Sequence, residues 1–130
     1  MGKAKNILFI MCDQLRWDYL SCNGHPHLET PHIDGLAAKG VNFTLAFVQS
    51  PLCGPSRMSY LTGRYVYSHG ATWNGVPLSV GQRNIGDFIR PHGLRCALVG
   101  KTHMEPDAEG MARLGVDKMT ELGVLTSECG

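Results

Sequence analysis

Apolar residues gather along this chain in short runs, separated by polar stretches rich in glycine and proline. Ile7-Leu8-Phe9-Ile10-Met11 is continuous and bounded by polar residues. A run of that length without alternation predicts a strand buried on both faces, as in a parallel sheet. Val41 to Val48 is apolar and aromatic enough for a second strand, and Arg95-Cys96-Ala97-Leu98-Val99 reads as a third. Helical signals lie between them. Thr30 is placed as an N-cap, Pro31 as the first helical position and Gly40 as the stop, with Ile33, Leu36 and Ala37 on one apolar face. Pro55 and Gly63 bracket a second helix. Asn84 caps a third, with Ile85, Phe88 and Ile89 on its buried face, ending near His92-Gly93. Tyr65 to Val80 reads as loop, and Met104 to Gly130 has no clear periodicity. Apolar strands alternating with amphipathic helices predict an α/β sandwich with a largely parallel sheet.

The bulk properties narrow the function classes. With 130 residues the chain is long enough for one small domain with its own core. Lys+Arg 12 against Asp+Glu 11 gives a net charge of +1, with no basic stripe for nucleic acid and no acidic tail. Cys12, Cys22, Cys53, Cys96 and Cys129 are odd in number and irregularly spaced, which argues against a disulfide framework and for a reducing compartment. The first apolar run, about six residues, is too short for a signal-peptide core or a membrane span. Met1-Gly2 followed by Asn6 lacks the Ser/Thr of a myristoylation site. The expectation is a cytoplasmic protein with neither nucleic acid nor membrane as partner.

The chemistry begins at Cys53-Gly54-Pro55-Ser56-Arg57, continued by Met58-Ser59-Tyr60-Leu61-Thr62-Gly63-Arg64. Pro55 at the first helical position puts Cys53 just ahead of a helix N-terminus, where free N–H groups and the macrodipole favour negative charge. Arg57, about one turn on, returns a guanidinium to the same spot. A tyrosine-phosphatase-type loop needs a longer spacer than the three residues between Cys53 and Arg57. Papain-like thiol catalysis has a different local signature. A buried structural cysteine does not call for proline at +2 and arginine at +4. The stretch resembles the sulfatase signature, whose cysteine a maturation enzyme oxidises to Cα-formylglycine, an aldehyde whose hydrate supplies the nucleophile.

Three further stretches carry the resemblance. Gly93 to His103, closing in Gly100-Lys101-Thr102-His103, is similar to the second sulfatase signature. Lys101 and His103, two apart after a strand, face one side in extended geometry. Asp13-Gln14 follows the first apolar run, at the end where open α/β sheets place ligands. By itself Asp13 is a turn residue or a helix cap. Within the resemblance it matches the metal aspartate, while Gln14 departs from the paired aspartates of many members and agrees with choline-sulfatase-like and phosphonate-monoesterase-like ones. Thr30-Pro31-His32-Ile33-Asp34 looks like the family's Thr-Pro-Asn-Ile-Asp helix, a scaffold element. Asn74-Gly75 has two readings: a turn, or the asparagine that in those same relatives contacts the charged oxygens of the ester. Cys22 with His25, His27 and His32 lacks the tight ligand pairs of zinc and reads as a solvated loop.

The resemblance covers about residues 6 to 107 and implies an alkaline-phosphatase-like α/β fold several times longer than this chain. Residues 1–130 are then the N-terminal portion of one incomplete catalytic domain. It also implies a mechanism. The formylglycine hydrate at Cys53 attacks sulfur or phosphorus, with one oxygen on a divalent cation, Ca²⁺ in many relatives and Mn²⁺ in some. The cation ligands are Asp13, Gln14 and the oxygen derived from Cys53. Arg57 and Lys101 offset negative charge, Asn74 and Lys101 bind the ester, and His103 accepts the proton that lets the covalent sulfate leave. The implied partners are a small sulfate or phosphonate ester and the formylglycine-generating enzyme, and a homo-oligomeric full-length protein is admitted. Three functions follow: a sulfuric ester hydrolase, a phosphonate or phosphate ester hydrolase of the same superfamily, or an inactive truncated product with exposed strand edges.

Overall fold

The structure, a computed structural model, describes residues 5–115. Its regular elements are helical: α1 Pro31–Lys39, α2 Cys53–Thr62, α3 Val66–His69, α4 Ile85–Ile89 and α5 Ala108–Leu114, with 3₁₀ turns at Trp17–Tyr19, Ser21–Asn23 and Arg90–His92. No strand forms among the described residues. The runs 7–11, 41–48 and 95–99, expected as strands of a parallel sheet, carry no ladder here. Their side chains are open to solvent, Phe9 at 68%, Phe47 at 82% and Val99 at 86%. The reason is that a strand has no internal hydrogen bonds and is held by its neighbours. One that is apolar on both sides also needs cover on both faces, and residues 5–115 provide neither.

The chain divides into two compact units, one being Ile7–Phe47 and the other taking in the chain from Val48 onward. In the first, α1 lies where Thr30, Pro31 and Gly40 put it. Its cap differs from the simple expectation, because the Thr30 hydroxyl does not cap the helix backbone. It accepts the Ser21 N–H at 3.1 Å and donates to Asp34 Oδ1 at 2.9 Å. Ser21 Oγ accepts the Thr30 N–H at 2.7 Å and donates to Asp34 Oδ2 at 2.6 Å, and the Cys22 N–H reaches Asp34 Oδ1 at 3.0 Å. These bonds dock the first turn of α1 on the Ser21–Asn23 turn. They hold the Asp34 carboxyl below its usual range, the Ser21 hydroxyl contributing most, and they push the Cys22 thiol up, after burial, through its carboxylate neighbour. The predicted apolar face is not covered within this unit: Leu36 is 69% exposed.

In the second unit α2 is the hub. Gly54, Pro55, Arg57, Met58, Ser59, Leu61 and Thr62 are all buried. The helix starts at Cys53 after Leu52, so Pro55 falls later in the first turn than expected, still among positions whose N–H has no helical partner. Gly63 ends it at φ +66°, donating its N–H to the Ser59 carbonyl, a conformation that penalises any residue with a Cβ. Met58 packs on Ala71 and Leu78, with Met104 against the same cluster. The stretch 65–80, read as loop, contains the single turn α3, which packs on α2. At α4 the expected Asn84 cap is present as a capping box: Asn84 Oδ1 accepts the Gly86 N–H at 2.8 Å, and Asp87 accepts the Asn84 N–H at 2.9 Å. Its apolar face again stays open, Ile85 and Phe88 both being exposed. Helix α5 was not anticipated. Asp107 caps it through the Gly110 N–H at 2.9 Å and accepts the Val80 N–H at 2.9 Å with its other oxygen. Those two bonds hold the Asp107 carboxyl low. Asp107 ahead of Ala108-Glu109, with Gly115 behind, was a legible start and stop.

Candidate active site

The first turn of α2 gathers the candidate residues of the second unit. Cys53 is half-buried at the head of the helix with a free thiol. The next residue, Gly54, donates its N–H to Asn74 Oδ1 at 2.9 Å. Asn74 itself sits in a turn closed by the Val76 N–H on the Trp73 carbonyl at 3.2 Å. The turn reading of Asn74-Gly75 therefore holds, and the side chain of that turn reaches back to the residue beside Cys53. A Cβ built on Gly54 would stand 2.8 Å from Asn74 Oδ1 and 3.7 Å from the His103 carbonyl oxygen. Position 54 thus has room for hydrogen only while Asn74 stays where it is.

Arg57 is buried to 6% exposure and donates from Nη1 to the Lys101 carbonyl at 2.6 Å. That bond ties the segment Lys101–Met104 across α2, with Met104 on the Met58 cluster. The Lys101 side chain is exposed. His103 takes φ +52°, and its Nδ1 is shielded from solvent without a hydrogen bond. Such a backbone costs of order 1–3 kcal/mol in a non-glycine residue, and a buried polar atom without a partner is a further cost. Packing against α2 holds His103 in this conformation despite both costs. Cys53, Arg57, Asn74, Lys101 and His103 are thereby brought together from three separate stretches of sequence.

Asp13 and Gln14 lie in a turn of the other unit, and Gln14 has φ +59°. Among described residues only Gln14 and His103 take a positive φ without being glycine, and the sequence had singled out both. A carboxylate and an amide oxygen are hard donors of the kind a divalent cation takes. They are fewer than such an ion needs, and no group of three or more His, Cys, Asp or Glu comes together among the described residues. The donors fit in kind, as part of a larger set.

One buried residue went unnoticed in the sequence. His69, 3% exposed at the end of α3, accepts the Ala71 N–H on Nδ1 at 3.1 Å. Its proton is therefore on Nε2, which lies 3.0 Å from Ser59 Oγ. Burial holds its pKa below the ordinary value, helped by the Arg64 charge and opposed by the Pro55 carbonyl. A neutral His69 thus clamps α3 and the following loop to the buried face of α2. Nothing in the Gly- and Ser-rich stretch around it signalled this. A shallow depression lined by Gly81, Arg83, Asp87, Phe88 and Pro91 holds none of the candidate residues.

The sulfatase family model matches residues 5–127. The chain belongs to the sulfatase family. It is 37% identical over 100 residues to an ulvan-active sulfatase of Formosa agariphila, covering 77% of this chain and 20% of that protein. It is 38% identical over 108 residues to the multifunctional alkaline phosphatase superfamily protein PehA of Trinickia caryophylli, covering 79% and 21%. With the steryl-sulfatase of Mus musculus it shares 36% over 121 residues, 83% and 19% of the two chains. The chain thus spans about a fifth of the length of these relatives. Membership implies an α/β fold for the family as a whole, together with a divalent metal and a formylglycine.

Proposed function

We propose that the full-length protein hydrolyses sulfuric esters, with position 53 as the source of the nucleophile. The observation that carries this is the convergence on one helix turn: Gly54 on Asn74, Arg57 on the Lys101 carbonyl, and His103 beside Gly54. Cys53 supplies the reacting atom at the head of α2, where the helix macrodipole stabilises negative charge. Arg57 holds the Lys101–His103 segment and puts a guanidinium charge behind the site. Lys101 and Asn74 bind the anionic ester oxygens, and preorganised donors of this kind are worth about 3–4 kcal/mol each in a transition state. His103, with Nδ1 shielded, takes up a proton from the group at position 53. A formylglycine at position 53, made from Cys53 by a formylglycine-generating enzyme, would supply a hydroxyl nucleophile in place of the thiol. A divalent cation, Ca²⁺ ahead of Mn²⁺, would draw oxygen donors from Asp13 and Gln14 and supply positive charge. The odd, irregular cysteines favour a reducing compartment, the cytoplasm, for the protein.

The test is hydrolysis of an aryl sulfate by the full-length protein after coexpression with the maturation enzyme, alongside the intact mass of the peptide carrying Cys53. Turnover together with an aldehyde mass supports the reading. Turnover with an unmodified thiol sinks it. A second reading, phosphonate or phosphate ester hydrolysis, is favoured by Asp13-Gln14 and by the Asn74 amide on Gly54, the residue after Cys53. An aryl phosphonate turned over faster than the sulfate would decide for it. The 130-residue chain by itself is proposed to be inactive, because its apolar runs 7–11 and 41–48 are uncovered. Aryl sulfate turnover by that chain alone would refute this.

A further inference from the structure

The donor at the head of α2 is not used as a helix N-terminus ordinarily is. The Gly54 N–H is one of the first-turn donors that lack an intrahelical acceptor, and Leu52 offers no side-chain cap. Instead the Asn74 carbonyl oxygen takes that N–H at 2.9 Å, from 20 residues away. Because a backbone N–H needs an acceptor, the Asn74 amide has one orientation: Oδ1 on Gly54, and Nδ2 with its two hydrogens turned outward. This docking is possible only without a Cβ at position 54, since one would lie 2.8 Å from Oδ1. The atom in conflict is the far end of the Asn74 side chain, whereas the other neighbours, the Asn74 Cα at 3.5 Å and the His103 carbonyl at 3.7 Å, are in ordinary contact. A methyl at 54 would evict the amide and leave the backbone in place.

We propose that Gly54 is a positioning residue that acts through Asn74: by seating Oδ1 on its own N–H, it fixes the Nδ2 edge of Asn74 as a donor to a tetrahedral oxyanion held beside position 53. The residue between the signature cysteine and proline then determines whether the side chain at 74 takes part in anion recognition. The N–H···O=C–N–H chain passes the polarity of the helix end to a donor set farther out, and each bond polarises the next. This rests on the proposed hydrolase reading for the role of position 53, but not for the pairing of 54 with 74.

The experiment is a double-mutant cycle in the matured full-length protein, with inorganic sulfate and inorganic phosphate as probes in calorimetric titrations. Intact mass checks that Cys53 is converted equally in every variant. Gly54→Ala and Asn74→Ala are each expected to weaken anion binding about tenfold, the loss typical of one hydrogen bond to a charged group. The double variant is expected to be no weaker than either single one. Asn74→Asp separates donor from cap: its carboxylate still accepts the Gly54 N–H, so the melting midpoint stays at the wild-type value, yet it donates nothing and anion binding falls further than in Asn74→Ala. Gly54→Ala is expected to melt slightly below wild type, as Asn74→Ala does, because the residue-54 N–H loses its acceptor and alanine's helix propensity offsets only part of that. Losses that multiply in the double variant, wild-type anion binding in Asn74→Asp, or no anion binding by the wild type would each overturn the proposal. Failure of the hydrolase reading shows separately, as anion binding and coupling intact without turnover of any aryl ester.

Discussion

Helices α1 and α2 are of similar length and are both bracketed by proline in the first turn and glycine at the end. They differ in what surrounds them. Seven residues of α2 are buried, and none of α1. The turn at Asn74, the His69 clamp and the Lys101–Met104 segment close around α2. Helix α1 meets its unit through a polar network at its first turn, while Leu36 faces solvent. Start and stop signals therefore suffice to make a helix, and burial is a separate matter of which segments arrive to cover it.

The largest effect belongs at the head of α2. Cys53→Ser, if it escapes conversion to formylglycine, is expected to lower aryl sulfate turnover of the matured full-length protein by at least about a thousandfold, as loss of a nucleophile does. Its melting midpoint should hardly move, since residue 53 is only half-buried. Next comes the buried face of the same helix. Met58→Ala removes the centre of the cluster with Ala71 and Leu78, and urea unfolding should show a loss of about 2–5 kcal/mol.

Ser59→Ala removes the hydroxyl that meets His69 Nε2 while the Pro55 carbonyl stays as an acceptor, and is expected to cost about 0.5–1.5 kcal/mol. His69 also predicts a pH dependence. Its folded pKa lies below the ordinary 6.5, so the unfolded chain binds the proton first as pH falls. Stability is therefore full above that value and declines as pH drops through it towards the folded pKa. His69→Gln should flatten the profile over that window, and a profile unchanged by the substitution would remove His69 as its cause. Of similar size is Asn84→Ala at the α4 capping box, about 1 kcal/mol in the same unfolding assay. At the bottom, Leu36→Ala on the open face of α1 should stay within about 0.5 kcal/mol in this chain. A cost near that of Met58→Ala would erase the contrast between the two helices.

Much of this was legible before any coordinates. Cys53, Pro55, Arg57 and Gly63 announced α2, Asn84 announced α4, and Thr30-Pro31 announced α1, because caps, prolines and glycines act over a few residues through local backbone geometry. The stretches of α1 and α2 also carried part of the family resemblance. Less legible were contacts between residues far apart in sequence. Asn74 was readable both as a turn and as a ligand contact, and the structure places it in a turn whose side chain meets Gly54. His69 carried no local signal, since its partner Ser59 is met only once α3 folds back on α2. The apolar runs 7–11, 41–48 and 95–99 were legible as segments that want cover on both faces, but not as segments that residues 5–115 leave uncovered.

Residue types at short, fixed spacings were enough for the Gly63 stop of the signature helix and for the family. Tertiary packing decided that the glycine at 54 receives the Asn74 side chain, that Arg57 joins the Lys101 carbonyl, and that His69 is locked to α2 through Ser59. Each of these depends on a distance of a few ångströms between segments at least ten residues apart. No local pattern encodes such a distance, because it is set by how the whole unit packs.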